Sequence, residues 1–287
     1  MDGPDKVKKM HFNFGFTTSQ ILWTLTFAAL LVLLVVLLGR DRARRYPWFT
    51  AWIVLIALQR LMSRLLFGRM PQLTLAEIFI PLAIVVALVG LLVLVEVARR
   101  AFHGVHWRTW LGWALVLMSA AIYVLYAWGP WPDRRTLTFD SKIAILRMMA
   151  LVAQKGEMLV GMLAVGLGLL VVLFGRRFKA GWRSHAQQIA IGLSTAALAQ
   201  LTVQRVWQTI AMRAAPQTEA EFERIMGLRE KLFNANGAIY VAVLMWWIVW
   251  LWMDEPGTAV AATIPSAPAA EDAPTEAMAD GKGENKQ

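Results

Sequence analysis

The chain contains no cysteine, which removes disulfide frameworks, thiolate metal sites and cysteine nucleophiles together. It has no phosphate-cradling glycine loop, no HExxH and no Gly-x-Ser-x-Gly, so the common signatures of nucleotide, zinc and serine chemistry are missing too. No catalytic residue, metal site or cofactor is therefore assigned, and the chain reads as a non-enzyme. It also lacks any polar stretch that would make a sizeable water-soluble domain. Of its 287 residues 58% are hydrophobic, well above the roughly 45 to 50% of soluble domains. Acids are scarce beside bases, 19 against 29, giving a net charge of +10. That excess would suit nucleic acid, but the basic residues sit mostly in short loops beside apolar runs, where membrane orientation and lipid headgroups account for them. Nucleic acid is not an expected partner.

What fills the chain instead is a series of apolar stretches, each near the roughly 20 residues that a helix needs to cross a bilayer. They run over 17–39, 47–67, 75–98, 109–129, 156–174, 186–210 and 233–253. The expected fold is all-α: a polytopic membrane protein of seven transmembrane helices. Residues 1–16 form a short extracytoplasmic segment and 17–253 the seven-helix bundle. Residues 254–287, rich in Ala, Pro and acids without apolar periodicity, read as a disordered cytoplasmic tail. The first apolar run exceeds a signal-peptide core, and Gly39-Arg40-Asp41-Arg42 offers no small-x-small cleavage site, so the first span is expected to be retained.

Short-loop Lys and Arg set orientation. Arg40, Arg42, Arg44 and Arg45 follow the first span, Arg99, Arg100 and Arg108 the third, and Arg176, Arg177, Lys179 and Arg183 the fifth. All fall on one face if seven spans alternate, which puts the N-terminus outside, the tail in the cytoplasm and the protein in a cell inner membrane. Trp48, Trp52, Trp107, Trp110, Trp182, Trp250 and Trp252 then lie at the inner interface, and Trp128, Trp131 and Trp207 at the outer one, as an aromatic belt. Trp246 and Trp247 lie deeper and read as packing or lipid contacts.

Individual spans add detail. The first is nearly pure aliphatic from Phe27 to Leu38 and reads as lipid-facing. The third carries Pro81, which removes a backbone hydrogen bond and is expected to bend or loosen its outer end. A helical pattern from 141 to 174 predicts a rod of about 50 Å, longer than the bilayer core, with Gly161, Ala164 and Gly168 on one face for close approach. The segment 216–232 reads as a separate amphipathic helix outside, with Phe222, Ile225, Met226 and Leu228 dipping toward the interface.

One constellation stands out. Arg60, Arg64, Glu77, Lys155, Glu157, Gln200, Gln204, Arg205, Asn234 and Asn236 all belong to the outer third to half of five spans. Charges inside a span are costly and usually face a bundle interior or a watery cavity. Glu77 and Glu157 are candidate ion-pair partners for Arg60, Arg64, Lys155 and Arg205. Three readings stand open: a ligand region for a small polar or anionic molecule, since guanidinium suits carboxylate and phosphate; a structural network with glutamines as interhelical glue; or snorkelling to headgroups, notably by Lys155 and Arg64. On the inner side His103, His106, His185 and Glu96 are residue types that bind metal, but Gly104 argues against the helix that would align the first two, and they read as interfacial histidines. The seventh span has no lysine, which excludes a retinal Schiff base of the microbial-rhodopsin kind.

The stretches Arg45-Tyr46-Pro47-Trp48-Phe49-Thr50, Leu94-Val95-Glu96-Val97-Ala98-Arg99 and Gly181-Trp182-Arg183 with Gly192 following resemble a loose family of uncharacterised seven-helix bacterial membrane proteins of unknown function. The resemblance covers most of the membrane part, implies the seven-span fold, and carries over no site residue. The N-outside layout is also similar to the membrane sensor modules of bacterial signalling proteins, an analogy of topology alone. The expected function is receptor-like or sensor-like: membrane lipids around it, a small polar or anionic ligand in the outer region, and a protein partner that supplies the output. The alternatives are a small-solute transporter or channel component, or a structural subunit of a membrane complex.

Overall fold

The structure, a computed structural model, describes residues 17–102, 107–128, 141–174, 184–213 and 218–254, with side chains from 112 onward in the second of these segments. The N-terminal segment, the tail beyond 254, residues 175–183 with Trp182, and His103, His106 and Trp131 lie outside the described residues, as do the side chains of Trp107, Arg108 and Trp110. Within them the chain is all helical: α1 Thr18–Gly39, α2 Arg42–Arg45, α3 Pro47–Leu66, α4 Gln72–Ala101, α5 Trp107–Ala127, α6 Lys142–Phe174, α7 His185–Arg213 and α8 Glu219–Trp252. Six of them, α1, α3, α4, α6, α7 and α8, are long and apolar enough to cross a membrane. The described apolar part of α5, Gly112–Ala127, is shorter.

Local chemistry explains the ends. Thr17 and Gln20 close a capping box on α1, and Thr218 accepts from the backbone of Glu221 at the start of α8, each satisfying an orphan N–H of a first turn. Asp41 takes a left-handed conformation, φ 55°, which Asp tolerates better than most residues. This reverses the chain after α1. Pro47 opens α3 at a position where its missing N–H costs nothing, and α4 runs through Pro81 without interruption, where surrounding helices tolerate a lost backbone bond.

α1, α3, α4, α6, α7 and α8 form a closed ring in which each helix packs on the next, α8 returns to α1, and α4 also touches α7 across the middle. α5 sits outside the ring against α6. The arginine-rich end of the bundle carries Arg40, Arg42, Arg45 and Arg100. There Arg42 Nη2 donates to the Met253 carbonyl at 3.4 Å, and Arg40 lies over the Trp252 ring.

Nearly the whole core lies in the half next to that end. It is built from Leu30, Leu33 and Leu37 of α1, Phe49 and Ile53 of α3, Val93 and Val97 of α4, Leu167 and Val171 of α6, Ile189 and Ala190 of α7, and Leu244, Trp247 and Leu251 of α8. Small residues let these helices approach. A Cβ at Gly90 would stand 3.1 Å from Val160, one at Gly161 3.4 Å from Leu201, and those at Gly168 and Gly192 would meet Ser194 and the Trp247 indole. The shared face of Gly161, Ala164 and Gly168 is thus used for close approach, as small-residue packing in lipid requires.

A buried carboxylate joins α3 to α4. Tyr46 supplies no side-chain cap to α3; instead Glu96 Oε2 accepts the Phe49 N–H at 3.1 Å, and its other oxygen stands 3.7 Å from Arg100 Nη2. Arg100 in turn lies over the buried Tyr46 ring, 4.7 Å from its centroid. Phe49 meets Trp247 edge-on at 5.2 Å. The stretches 45–50 and 94–99, far apart in sequence, are therefore one structural joint.

Two expectations change. The first span is not simply lipid-facing, because Leu30, Leu33 and Leu37 are fully buried; a helix aliphatic all round gives no polar contrast to reveal its inner face. The separate outer helix over 216–232 does not exist as such. From Glu219 onward that segment and the seventh span are one continuous helix, α8, because no proline falls between them and the cap-type residues Asn234, Asn236 and Gly237 are carried inside the helix, whose propagation is cheap once nucleated.

Gly192→Ala is expected to lower stability by about 1 to 3 kcal/mol through overpacking against Trp247, whereas Gly227→Ala in α8, which has open space around it, raises stability by up to about 1 kcal/mol. Thermal unfolding of the two variants in detergent checks the contrast. Glu96→Leu strands the Phe49 N–H and is expected to cost about 1 to 3 kcal/mol, more than Glu96→Gln, which keeps an acceptor in place.

Candidate functional site

On four helices the stripe that builds the core changes character partway along. In α3 the buried Phe49, Ile53 and Ala57 are continued, at helical spacing on the same face, by Arg60 and Arg64. In α8 the buried Leu251, Trp247 and Leu244 are continued by Tyr240 and Asn236. In α7 Ile189, Ala190 and Leu193 give way to Gln200 and Gln204, and in α6 Val171, Leu167 and Ala164 to Glu157. The arginine-rich end has its own buried polar groups, Glu96 of α4 and His185, Gln187 and Gln188 of α7. Along these four stripes, however, the aliphatic and aromatic core gives way toward the far end to polar residues, of which Arg60, Arg64 and Glu157 are exposed and Gln200, Gln204, Asn236 and Tyr240 half-buried.

Contacts fix the relative levels. Phe49, Trp247 and Gly192 lie together, and Gly168–Ser194 with Gly161–Leu201 set the register of α6 on α7. Counting up from that level at about 1.5 Å per residue puts Gln200 roughly 12 Å above it. Arg60, Gln204 and Asn236 come roughly 16 to 18 Å above, and Arg64, Lys155, Glu157, Arg205 and Asn234 roughly 20 to 22 Å. Glu77, counted from Glu96 on α4, stands higher, roughly 28 Å up. Glu77 is thus outside the layer that holds the others.

The ion pairs expected for Arg60, Arg64 and Arg205 do not form: among the described residues no salt bridge joins any of the three to Glu77 or Glu157. The reason is that each group meets something else or stands apart. Glu157 Oε1 accepts from Gln200 Nε2 at 2.5 Å. Arg64 lies over Trp23, 5.8 Å from the ring centroid, and Arg205 over Trp128 at 5.2 Å, as guanidinium planes favour aromatic faces. Glu77 is exposed at its higher level.

Lys155 is half-buried and donates from Nζ to the Trp128 carbonyl at 2.7 Å, while Trp128 Nε1 donates to Gln208 Oε1 at 3.2 Å. Trp128 therefore ties α5's end to α6 and α7 in addition to any belt role. Of the ten residues, Glu77 stands apart on α4 and Arg64 turns to Trp23. Lys155, Glu157, Gln200 and Arg205 gather on α6 and α7 around Trp128 and Glu157, and the exposed Arg60 with the half-buried Gln204, Asn234 and Asn236 forms a second set on α3, α7 and α8.

Two buried polar atoms in the second set have no hydrogen-bond partner, Gln204 Oε1 and the Tyr240 hydroxyl, and Arg60 is close enough to act electrostatically on Tyr240. Tyr240 was not among the residues expected from sequence. The signal existed, since Tyr240 follows Asn236 by one turn and precedes Trp247 by two on the same face. On the arginine-rich side His185 Nε2 meets the Met253 carbonyl at 3.0 Å, and among the described residues no three His, Asp or Glu side chains gather as a metal site.

The Glu157–Gln200 bond predicts a measurable coupling: a double-mutant cycle of Glu157→Leu and Gln200→Leu is expected to give about 1 kcal/mol between the two sites by thermal or denaturant unfolding. Additive single effects would show that the contact contributes nothing.

No family model, curated protein or solved structure matches the chain.

Proposed function

We propose that the chain is a receptor-like or sensor-like heptahelical protein of a bacterial inner membrane, of the uncharacterised seven-helix kind that its sequence resembles. α5 is then the seventh span, the N-terminus lies outside, the arginine-rich end and the tail face the cytoplasm, and a small polar or anionic ligand enters from the far end. A protein partner reads the liganded state at the cytoplasmic side.

One observation carries this reading: the stripes of α3, α7 and α8 turn from buried hydrocarbon to Arg60, Gln204 and Asn236 at about the same depth, with Tyr240 about one turn nearer Trp247. A bundle meant only to be stable would continue the apolar stripe, because polar groups inside a span cost free energy unless they do something. The same feature favours sensing over transport. Leu30, Leu33, Leu37, Phe49, Ile53, Leu244 and Trp247 are all fully buried in the other half, which supports a ligand that enters and leaves by one side.

A thermal-shift screen of the purified protein against phosphate, sulfate, sugars, amino acids and carboxylates is expected to yield a hit that stabilises by about 2.7 kcal/mol when supplied at one hundred times its Kd. Arg60→Gln is expected to abolish it. The ligand region is ruled out if no compound shifts the transition or if the hit survives that substitution. Solute flux in protein-containing liposomes would instead favour the transporter alternative.

A further inference from the structure

The outward region has a chemical signature narrower than polar or anionic. Tyr240 and Gln204 each bury an oxygen with no hydrogen-bond partner, a condition that costs about 1 to 3 kcal/mol per group when nothing fills it. Helix side chains lean toward the N-terminus of their own helix. Tyr240 on α8 therefore leans toward the far end, while Arg60 on α3 and Gln204 on α7, which run the other way, lean down toward it. The three groups, which differ by a turn or so in backbone level, converge on one depth, in keeping with the electrostatic reach of Arg60 to Tyr240.

Their chemistry is complementary and unequal. Arg60 and the Tyr240 O–H are donors, and among the described residues no carboxylate pairs with Arg60. The Gln204 amide oxygen is an acceptor, which repels a bare anion and needs an N–H or O–H. A simple carboxylate would satisfy the first pair and meet the third group only by turning the Gln204 amide over, whereas a molecule with its own donor meets the oxygen where it stands.

We infer that the region takes a small carboxylate that brings its own donor, a hydroxy acid or an amino acid. Its carboxylate sits against Arg60 and the Tyr240 hydroxyl, and its hydroxyl or ammonium donates to Gln204 Oε1. Asn236, one turn above Tyr240 on the same face, borders the donor side. This rests on the outward-facing ligand region proposed above and narrows it to one class of molecule.

Two matched series test it on the full chain in detergent: propionate, lactate and alanine, then succinate, malate and aspartate, with Kd read by calorimetry. In at least one series a donor-bearing acid is expected to bind on the order of tenfold or more tighter than the bare acid, because a site built to bond a polar group rejects the analogue without it. Gln204→Met is expected to collapse that preference to within about threefold while the bare acid binds as before. Tyr240→Phe weakens every acid in the series, and Arg60→Gln abolishes them all. Equal binding of bare and donor-bearing acids overturns the inference but leaves the ligand region standing, as does a preference untouched by Gln204→Met. Should none of the six acids bind while another compound of the wider screen does, this inference alone falls. Should nothing bind in either experiment, both fall.

Discussion

A single buried carboxylate sets the geometry on which the rest of the bundle is hung. Helix α3 begins after an arginine-rich turn with no capping side chain of its own, and Glu96, reaching across from α4, takes the N–H that would otherwise be stranded. An anion at a helix N-terminus is doubly favoured, by the hydrogen bond and by the aligned peptide dipoles. Because the carboxylate is also in ion-pair range of Arg100, whose guanidinium covers Tyr46, its charge is not left alone in the core. The register of α3 on α4 follows directly. Through Phe49, the same joint sets the height of Trp247, and Trp247 seats α8 on the bare backbone of α7 at Gly192.

That joint also explains why the molecule is divided by depth. Between α4, α3, α8 and α7 the space near the arginine-rich end is filled by aromatic rings and branched aliphatics, with glycines where two helices must nearly touch. In lipid, hydrocarbon outside competes equally with hydrocarbon inside, so such a half holds together through close packing more than through exclusion of water. The other half is built differently. There the inward positions carry guanidinium, amide and phenol groups, some paired as in Glu157 with Gln200, some resting on tryptophan rings, and two oxygens paired with nothing described.

Much of this was readable from the sequence, and the misses have physical causes. Long apolar runs announce membrane helices because backbone groups in hydrocarbon must bond internally, and six of the expected spans appear as such helices. The polar layer was legible because charges inside apolar runs are rare. What the sequence could not supply was partnership. Opposite charges at similar depth suggested ion pairs, yet Arg64 and Arg205 rest on Trp23 and Trp128, since which faces meet depends on helix rotation and not on depth. Glu96 stood out only as an inner-side acid near three histidines; that its carboxylate would cap a helix starting at Pro47 needed the two helices in place. Leu30 and Leu33 were hidden by uniformity, and Tyr240 by being one mildly polar residue in an aromatic-rich helix. The resemblance stretches at 45–50 and 94–99 meet at the joint, which gives their residue choices a structural reason.

The continuity of α8 has a mechanical meaning. A 34-residue helix is about 50 Å long, roughly 20 Å more than a bilayer's hydrocarbon core, and it carries no proline or break where it leaves the apolar zone. It is one stiff beam clamped at Trp247, with Tyr240 and Asn236 partway along and a free arm of charged residues at its far tip. A tilt of a few degrees about the clamp sweeps that arm through several ångströms, while the clamped end barely shifts. Leverage of this kind runs in both directions: whatever grips the tip of the arm exerts torque on the joint at Glu96, and whatever fills the space beside Tyr240 swings the arm.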